Sequence, residues 1–281
     1  MTHDQVPIEL CDKNGNTIDD KGAIKIYDAV GKEGDKKRFC TLNLYGCMEL
    51  RDDLANLPRV HVVFNASMFQ TADDWHNQDE RKEWDPRCLV SFQENAWVDA
   101  KTHIHAMDEI LCPINEHLKE VDMKGLVIED NLSSHKTKAV FDFWDNELTS
   151  FDQPEFVPPK MTEIMQAIDW HVGILYKRAV YREMRKETMK RLHAARQETG
   201  SANGITIKEM TPREKRILIT RALGDCHEKL IASSYYWRAF IATGIWMPIW
   251  YLIKNEDGVP VGPCNVPEDA HVSLQHIMKY N

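Results

Sequence analysis

Three aspartates stand in settings that would suit a shared metal site. Asp4 lies in an alternating stretch, Asp130 ends the short apolar run "LVIED", and Asp169 falls in "MQAIDWHVG". Hard divalent cations want oxygen ligands, and Mg²⁺ takes few protein carboxylates together with substrate phosphates. Two such ions activate an attacking water and stabilise a leaving oxygen in phosphoryl transfer. Ends of neighbouring strands are where α/β sheets place ligands, and a helix crossing that edge would add the third carboxylate. Gln166 stands three residues before Asp169 and shares its helical face. Gly173, four residues after, would leave that face open to a close ligand. Each residue alone has a plainer reading: Asp-Asn after a strand is a common turn, and a helical aspartate is usually just solvated.

The elements that must position these groups follow from hydrophobic period. In "THDQVPIEL", Asp4, Val6, Ile8 and Leu10 share one face of a strand by alternation. Pro7 removes one ladder donor there. Further strands are expected from Arg38, from Arg59 and from Arg87, with "DLANLP" as a hairpin connection and residues 71–86 as a solvated loop. "DAKTHIHAMDEILCPINEHLKE" has helical spacing at Ile104, Met107, Ile110 and Leu111, with Pro113 as a kink. Leu126, Val127 and Ile128 form a buried strand running into Glu129 and Asp130, and a helix follows from His135. A long helix is expected from Thr162 to about Arg196. Thr211, Pro212 and Glu214 spell a capping box with a proline at the first helical position. Strands first, then strands alternating with helices, imply an α/β fold with a mixed sheet: antiparallel at the start, parallel and helix-linked later. The expected division is a core over 1–199 and a C-terminal helical extension over 200–281.

Several of these segments together resemble the DDE-superfamily endonuclease domain of pogo/jerky-like, centromere-protein-B-like transposases. The first aspartate of that family sits in Asp-Gln-x-Pro, matched by Asp4, Gln5 and Pro7. The second sits in Asp-Asn-x-x-x-His, matched by Asp130, Asn131 and His135. The third follows an extended Pro-Pro segment and a Gln-Pro-x-Asp turn, matched by Pro158, Pro159, Gln166 and Asp169. The interval of 39 residues from Asp130 to Asp169 is similar too, and the resemblance covers nearly the whole chain. It implies an RNase H-like mixed sheet flanked by helices, with Asp4, Asp130 and Asp169 holding two Mg²⁺ or Mn²⁺ ions for DNA cleavage and strand transfer. Asn131, His135 and Gln166 would support them. Ala167 stands where the family has proline, and Glu129 adds an acid that would compete for metal or distort the strand edge. The family ordinarily carries a helix-turn-helix DNA-binding region ahead of its first strand, and here three residues precede Asp4. DNA is the expected partner, the nucleus the expected location, and a homodimer is among the assemblies this reading admits. The alternative is a domesticated or decayed DNA- or chromatin-binding protein without catalysis. A metal hydrolase of small phosphates is a third reading.

Charge and composition bear on these readings. Net charge over the 281 residues is −9, unlike a simple nucleic-acid binder. Residues 160–222 nevertheless hold 14 Lys/Arg against 7 Asp/Glu, so a polyanion would be drawn there. Arg178, Arg182, Arg185, Lys186 and Lys190 make a helical stripe able to track a DNA backbone without reading bases. Its bland counterpart is a solvated face partly neutralised by Glu183 and Glu187. The 7 cysteines form no C-x-x-C pair and suit reduced thiols. The longest uncharged run, 239–253, is too short to span a bilayer comfortably, and no membrane is expected. His103 and His105, two apart on a helix, point different ways and do not make a metal pair. His135 is expected to support the loop near Asp130 rather than to act as a ligand, and Trp97 to anchor packing.

Overall fold

A computed structural model of the chain describes residues 1–9, 38–46, 59–66, 78–157, 166–168, 172–199, 207–233, 235–243, 253–254 and 260–261. Its centre is a six-stranded mixed sheet. The strands in chain order are β1 (Thr2–Glu9), β2 (Arg38–Gly46), β3 (Val60–Asn65), β4 (Cys88–Gln93), β5 (Ile128–Glu129) and β6 (Glu155–Phe156). Their spatial order is β4-β3-β2-β1-β5-β6. β1 and β2 pair antiparallel with Asp4 opposite Leu44, and β2 and β3 with Leu42 opposite Val62. β3–β4, β1–β5 and β5–β6 are parallel. The expected α/β plan of early antiparallel and later parallel strands is thus present.

β3 is buried along its whole length, and β2 is buried from Phe39 to Tyr45. Such near-continuous apolar strands belong to a sheet covered on both faces. Pro7 pairs with Thr41 beyond the reach of β5. There β1 has one strand neighbour, the setting in which a missing donor is tolerated.

The helices cover the two faces as two separate cores. The described helices are α1 (Gln78–Arg81), α2 (Ala100–Ala106), α3 (Cys112–Glu120), α4 (Lys138–Glu147), α5 (Gly173–Thr199), α6 (Pro212–Ala232) and α7 (Tyr235–Ala242). Val6, Ile8 and Leu42 pack with Ile168, Val172 and Tyr176, with Leu223 of α6 and with Phe240 of α7. Tyr45 and Val127 pack with Ala106, Ile110, Val140 and Trp144 on the other side. α6 begins with the expected reciprocal cap between Thr211 and Glu214. This helix, within the expected C-terminal extension, buries Ile219, Ala222 and Leu223 in the same core as β1–β4.

Other expectations are modified for visible physical reasons. Pro113 is absorbed by a single π-turn, Met107–Leu111, between α2 and α3. The Cys112 amide donates to Met107 O, and Met107, Ile110 and Leu111 all stay buried. Glu109 O, four residues before the proline, accepts from Arg59 Nη2 instead. Part of the expected solvated loop folds as α1, because Glu80 is buried in a bidentate pair with Arg216 of α6, at 2.6 and 2.8 Å. The strand expected at 126–128 is confined to Ile128 and Glu129, and Leu126 is exposed. Trp97 is exposed, while its neighbours Ala96 and Val98 are the buried residues. The described part of the long helix starts at Gly173, and Gln166 stands in irregular backbone. "DLANLP" lies outside the described residues. No described helix is long and apolar enough to cross a membrane.

Candidate functional site

Where β1 meets β5, successive residues point to opposite faces and carry different chemistry. The parallel register sets Thr2 beside Ile128 and His3 beside Glu129. The pairing ends there, and Asp4 and Asp130 are the next residue along each chain segment. Asp4 is nearly buried and shares its face with Val6 and Ile8, toward α5. Asp130 is half-buried just past the end of β5. In each aspartate Oδ1 accepts from the next residue's amide: Gln5 N at 2.7 Å and Asn131 N at 2.6 Å. Those bonds fix the side-chain angle of both carboxylates.

Gln166 joins this face. Its Oε1 accepts from Thr2 Oγ1 at 2.7 Å and its Nε2 donates to His3 O at 2.7 Å, both fully buried. Seven residues later Gly173 packs on Val6, where an added Cβ would lie 2.9 Å from Val6 Cγ2. That close approach, rather than room for a ligand, is what the glycine provides. Thr2 and Val6 flank Asp4 on the strand, so Gln166 and Gly173 hold β1 on either side of it. Asp169, Pro158 and Pro159 lie outside the described residues.

The expected supporting residues divide. Gln166 is tied to β1 as described. Asn131 is exposed and its Oδ1 accepts from Lys136 Nζ. His135 is fully buried on the opposite side, at Gln5 and Glu129. The basic residues Arg178, Arg182, Arg185, Lys186 and Lys190 are all exposed along α5. Glu183 pairs with Arg182 and Lys186 at 3.1 and 2.8 Å.

The opposite face holds a polar cluster. Glu129 is fully buried, with its Oε1 3.6 Å from His3 Nδ1 and 3.6 Å from His103 Nε2, and its Oε2 3.4 Å from His135 Nδ1. The three imidazoles are themselves fully buried, and their ring centroids stand 4.4 to 5.0 Å apart. His103 comes from α2, capped at Asp99, and His135 from a 3-10 turn, Ser133–Lys136. These are not ion pairs despite the distances. Burial holds His3 and His103 well below the usual imidazole range and takes His135 down to about 4, against the opposing pull of Asp130. Burial also raises Glu129 to about 8. Burial thus disfavours the charged form of all four.

A hydrogen-bonded chain backs the cluster. His3 Nε2 donates to Asn43 Oδ1. Asn43 Nδ2 donates to His61 Nδ1 at 3.1 Å, and His61 Nε2 meets Ser91 Oγ at 3.0 Å. The Asn43 bond fixes the proton of His3 on Nε2, so its Nδ1 lone pair faces Glu129. Six atoms of the cluster have no hydrogen-bond partner: His3 Nδ1, His103 Nδ1 and Nε2, Glu129 Oε1 and Oε2, and His135 Nδ1. An orphan of this kind costs about 1–3 kcal/mol, a sizeable part of the roughly 5–15 kcal/mol by which domains are stable.

His3 and His103 were not expected at a site. The signal for His3 was there in the alternation that put Asp4 on the apolar face. Grouping it with residues 103, 129 and 135 needed the β1–β5 register and the docking of α2. Compared with protein-family models, with curated proteins and with solved structures, the chain gives no match.

Proposed function

We propose that the chain is a DDE-type endonuclease domain that cleaves and transfers DNA strands with divalent metal. The observation that carries this reading is the bracket around Asp4: Gln166 bonds β1 at Thr2 and His3, and Gly173 meets it at Val6. Residues on either side of position 169 are thereby tied to the strand carrying the first aspartate. The antiparallel β1–β2–β3 unit joined to parallel β5 and β6 supports an RNase H-like core.

Two carboxylates, each with one oxygen steadied by a backbone amide, fit the hard-oxygen preference of Mg²⁺ or Mn²⁺. Asp4 and Asp130, with Asp169, would hold the ions. Ions so bound would supply an activated water and stabilise the leaving oxygen. The chain's own part is to fix the carboxylate angles and to lead DNA in. The exposed stripe from Arg178 to Lys190 runs along α5, whose first residue packs beside Asp4's strand. It suits phosphates, which position a duplex without specifying sequence.

Supercoiled plasmid incubated with the protein and Mg²⁺ or Mn²⁺ tests the reading. Nicking that Asp4→Asn and Asp130→Asn both remove supports it, and cleavage unchanged in Asp130→Asn overturns it. Tight DNA binding without cleavage by the wild-type chain supports the non-catalytic alternative. Replacing Arg178 and Arg185 by alanine should flatten the plot of log affinity against log salt by about 0.9 for each phosphate no longer neutralised.

A further inference from the structure

We propose that His3, His103, His135 and Glu129 form a closed, four-coordinate site for one transition-metal dication of the zinc class, on the face of the sheet opposite the carboxylates. The proposal does not rest on the nuclease reading.

Spacing is the first argument. Hydrogen bonds among these groups would draw the atoms to about 2.7–3.2 Å. The three nitrogens instead stand 3.4 to 3.6 Å from the Glu129 oxygens. Donors bound at about 2.1 Å around a tetrahedral ion lie about 3.4 Å from one another. One nitrogen from each imidazole can be chosen so that the three lie within 4.8 Å of each other. The contacts to Glu129 therefore have the separation of a coordination shell and are too open for proton-linked ones.

The direction of the lone pairs is the second. Metal-bound histidines commonly give their other ring N–H to a carbonyl or carboxylate. His3 does so to Asn43 Oδ1, which leaves Nδ1 aimed inward. His135 Nε2 lies 3.0 Å from the Gln5 side-chain amide nitrogen. A half-turn of that amide exchanges nitrogen for oxygen, which would then accept from Nε2–H and free Nδ1 for the ion. His103 Nε2 faces Glu129 with no other partner.

Donor type selects the ion. Three imidazoles and one carboxylate suit zinc and its neighbours, whereas Mg²⁺ and Ca²⁺ want oxygen. All four donors are fully buried. Four protein ligands with no open position mark a structural ion. It would join β1, β5, α2 and the 3-10 turn at one point.

Elemental analysis of protein purified without a polyhistidine tag and dialysed against metal-free buffer provides the test. About one equivalent of a zinc-class metal per chain is expected, since such sites bind tightly at neutral pH. Exchange with Co²⁺ should give the visible absorption of a tetrahedral centre. His103→Gln should weaken binding by at least about a hundredfold, and Asn43→Leu, which removes the partner of His3 Nε2 together with the donor to His61 Nδ1, by about tenfold. Should His103→Gln fail to fold, Asn43→Leu decides. Asp130→Asn should leave the equivalent in place, which separates this site from the nuclease ions. Folded wild-type protein that holds under about a tenth of an equivalent and gives no Co²⁺ spectrum overturns the proposal. So does bound metal indifferent to both variants.

Discussion

On one face of the β1–β5 edge stand two aspartates, one nearly buried and one half-open to solvent. On the other, one residue away along each strand, stand a glutamate and three imidazoles sealed from it. His3 and Asp4 are sequence neighbours, as are Glu129 and Asp130. The pleat assigns His3 and Asp4 to opposite sides, and Asp130 follows just past the strand that buries Glu129. Burial then decides what each side can do. A carboxylate at a strand end can meet a substrate. A carboxylate enclosed with imidazoles is driven neutral and stays so unless a cation enters. Two acids in sequence need not compete for the same metal, which changes the expectation that Glu129 would disturb its neighbour.

The sharpest way to break the comparison is to alter these two acids separately. Asp130→Asn should lower plasmid nicking by about 10²–10³-fold, the usual loss when one charge-stabilising group is removed, with little change in melting temperature. Glu129→Gln should do the reverse. If both variants lose cleavage and both keep full stability, the two faces are one site.

Metal removal comes next in size. An ion held at about 1,000 times its dissociation constant contributes about 4 kcal/mol by mass action. Prolonged chelation, or Glu129→Gln, should therefore lower the melting temperature by roughly 7 °C for a chain of this length. Scanning calorimetry with and without chelator measures it. Asp130→Asn should show the same chelator response as the wild-type chain.

Much of this edge was legible in sequence, and the boundary is physical. Alternation put Asp4, Val6 and Ile8 on one face, and the buried Val6 and Ile8 bear that out. The α6 cap was readable because Thr211, Pro212 and Glu214 act within one turn. Contacts set by docking were not readable. Glu80 sits in a polar stretch, and only the approach of Arg216, far along the chain, makes it a core residue. α6 reads as a charged helix, yet Ile219 and Leu223 seat it against the sheet. His103 and His105 do diverge as helical geometry requires, with His105 exposed. That rule excluded them as a pair and was silent on His103 meeting His3 and His135.

A smaller perturbation sharpens the carboxylate side alone. Gly173→Ala would place a methyl 2.9 Å from Val6 Cγ2, so the Val6 side chain or the elements holding it must give. Overpacking of this kind costs about 1–3 kcal/mol. Because Val6 is two residues from Asp4, the loss of nicking should exceed that of an equally destabilising change elsewhere. The metal content of the imidazole cluster should stay at its wild-type value. Equal nicking in Gly173→Ala and in a stability-matched control would remove the bracket around Asp4 as an argument.

The smallest effect serves as that control. Thr211→Ala removes the side-chain oxygen that caps α6, far from either face, and should cost about 1 kcal/mol. Nicking and metal content should not move. The cap also has a pH signature. Glu214 is held at about 2 by Arg191 first and by the Thr211 amide second. A carboxylate held lower in the folded chain than in the unfolded one stabilises above its unfolded value, near 4.5. That contribution fades as pH falls from there toward 2. Glu214 is largely exposed, so solvent and salt screen the Arg191 contact and the slope should be shallow. Melting curves between pH 6 and 2.5 should show wild type and Glu214→Gln converging at the acid end, by roughly the loss of that one carboxylate's advantage. A difference constant across the range would mean that Glu214 caps the helix by shape and not by charge.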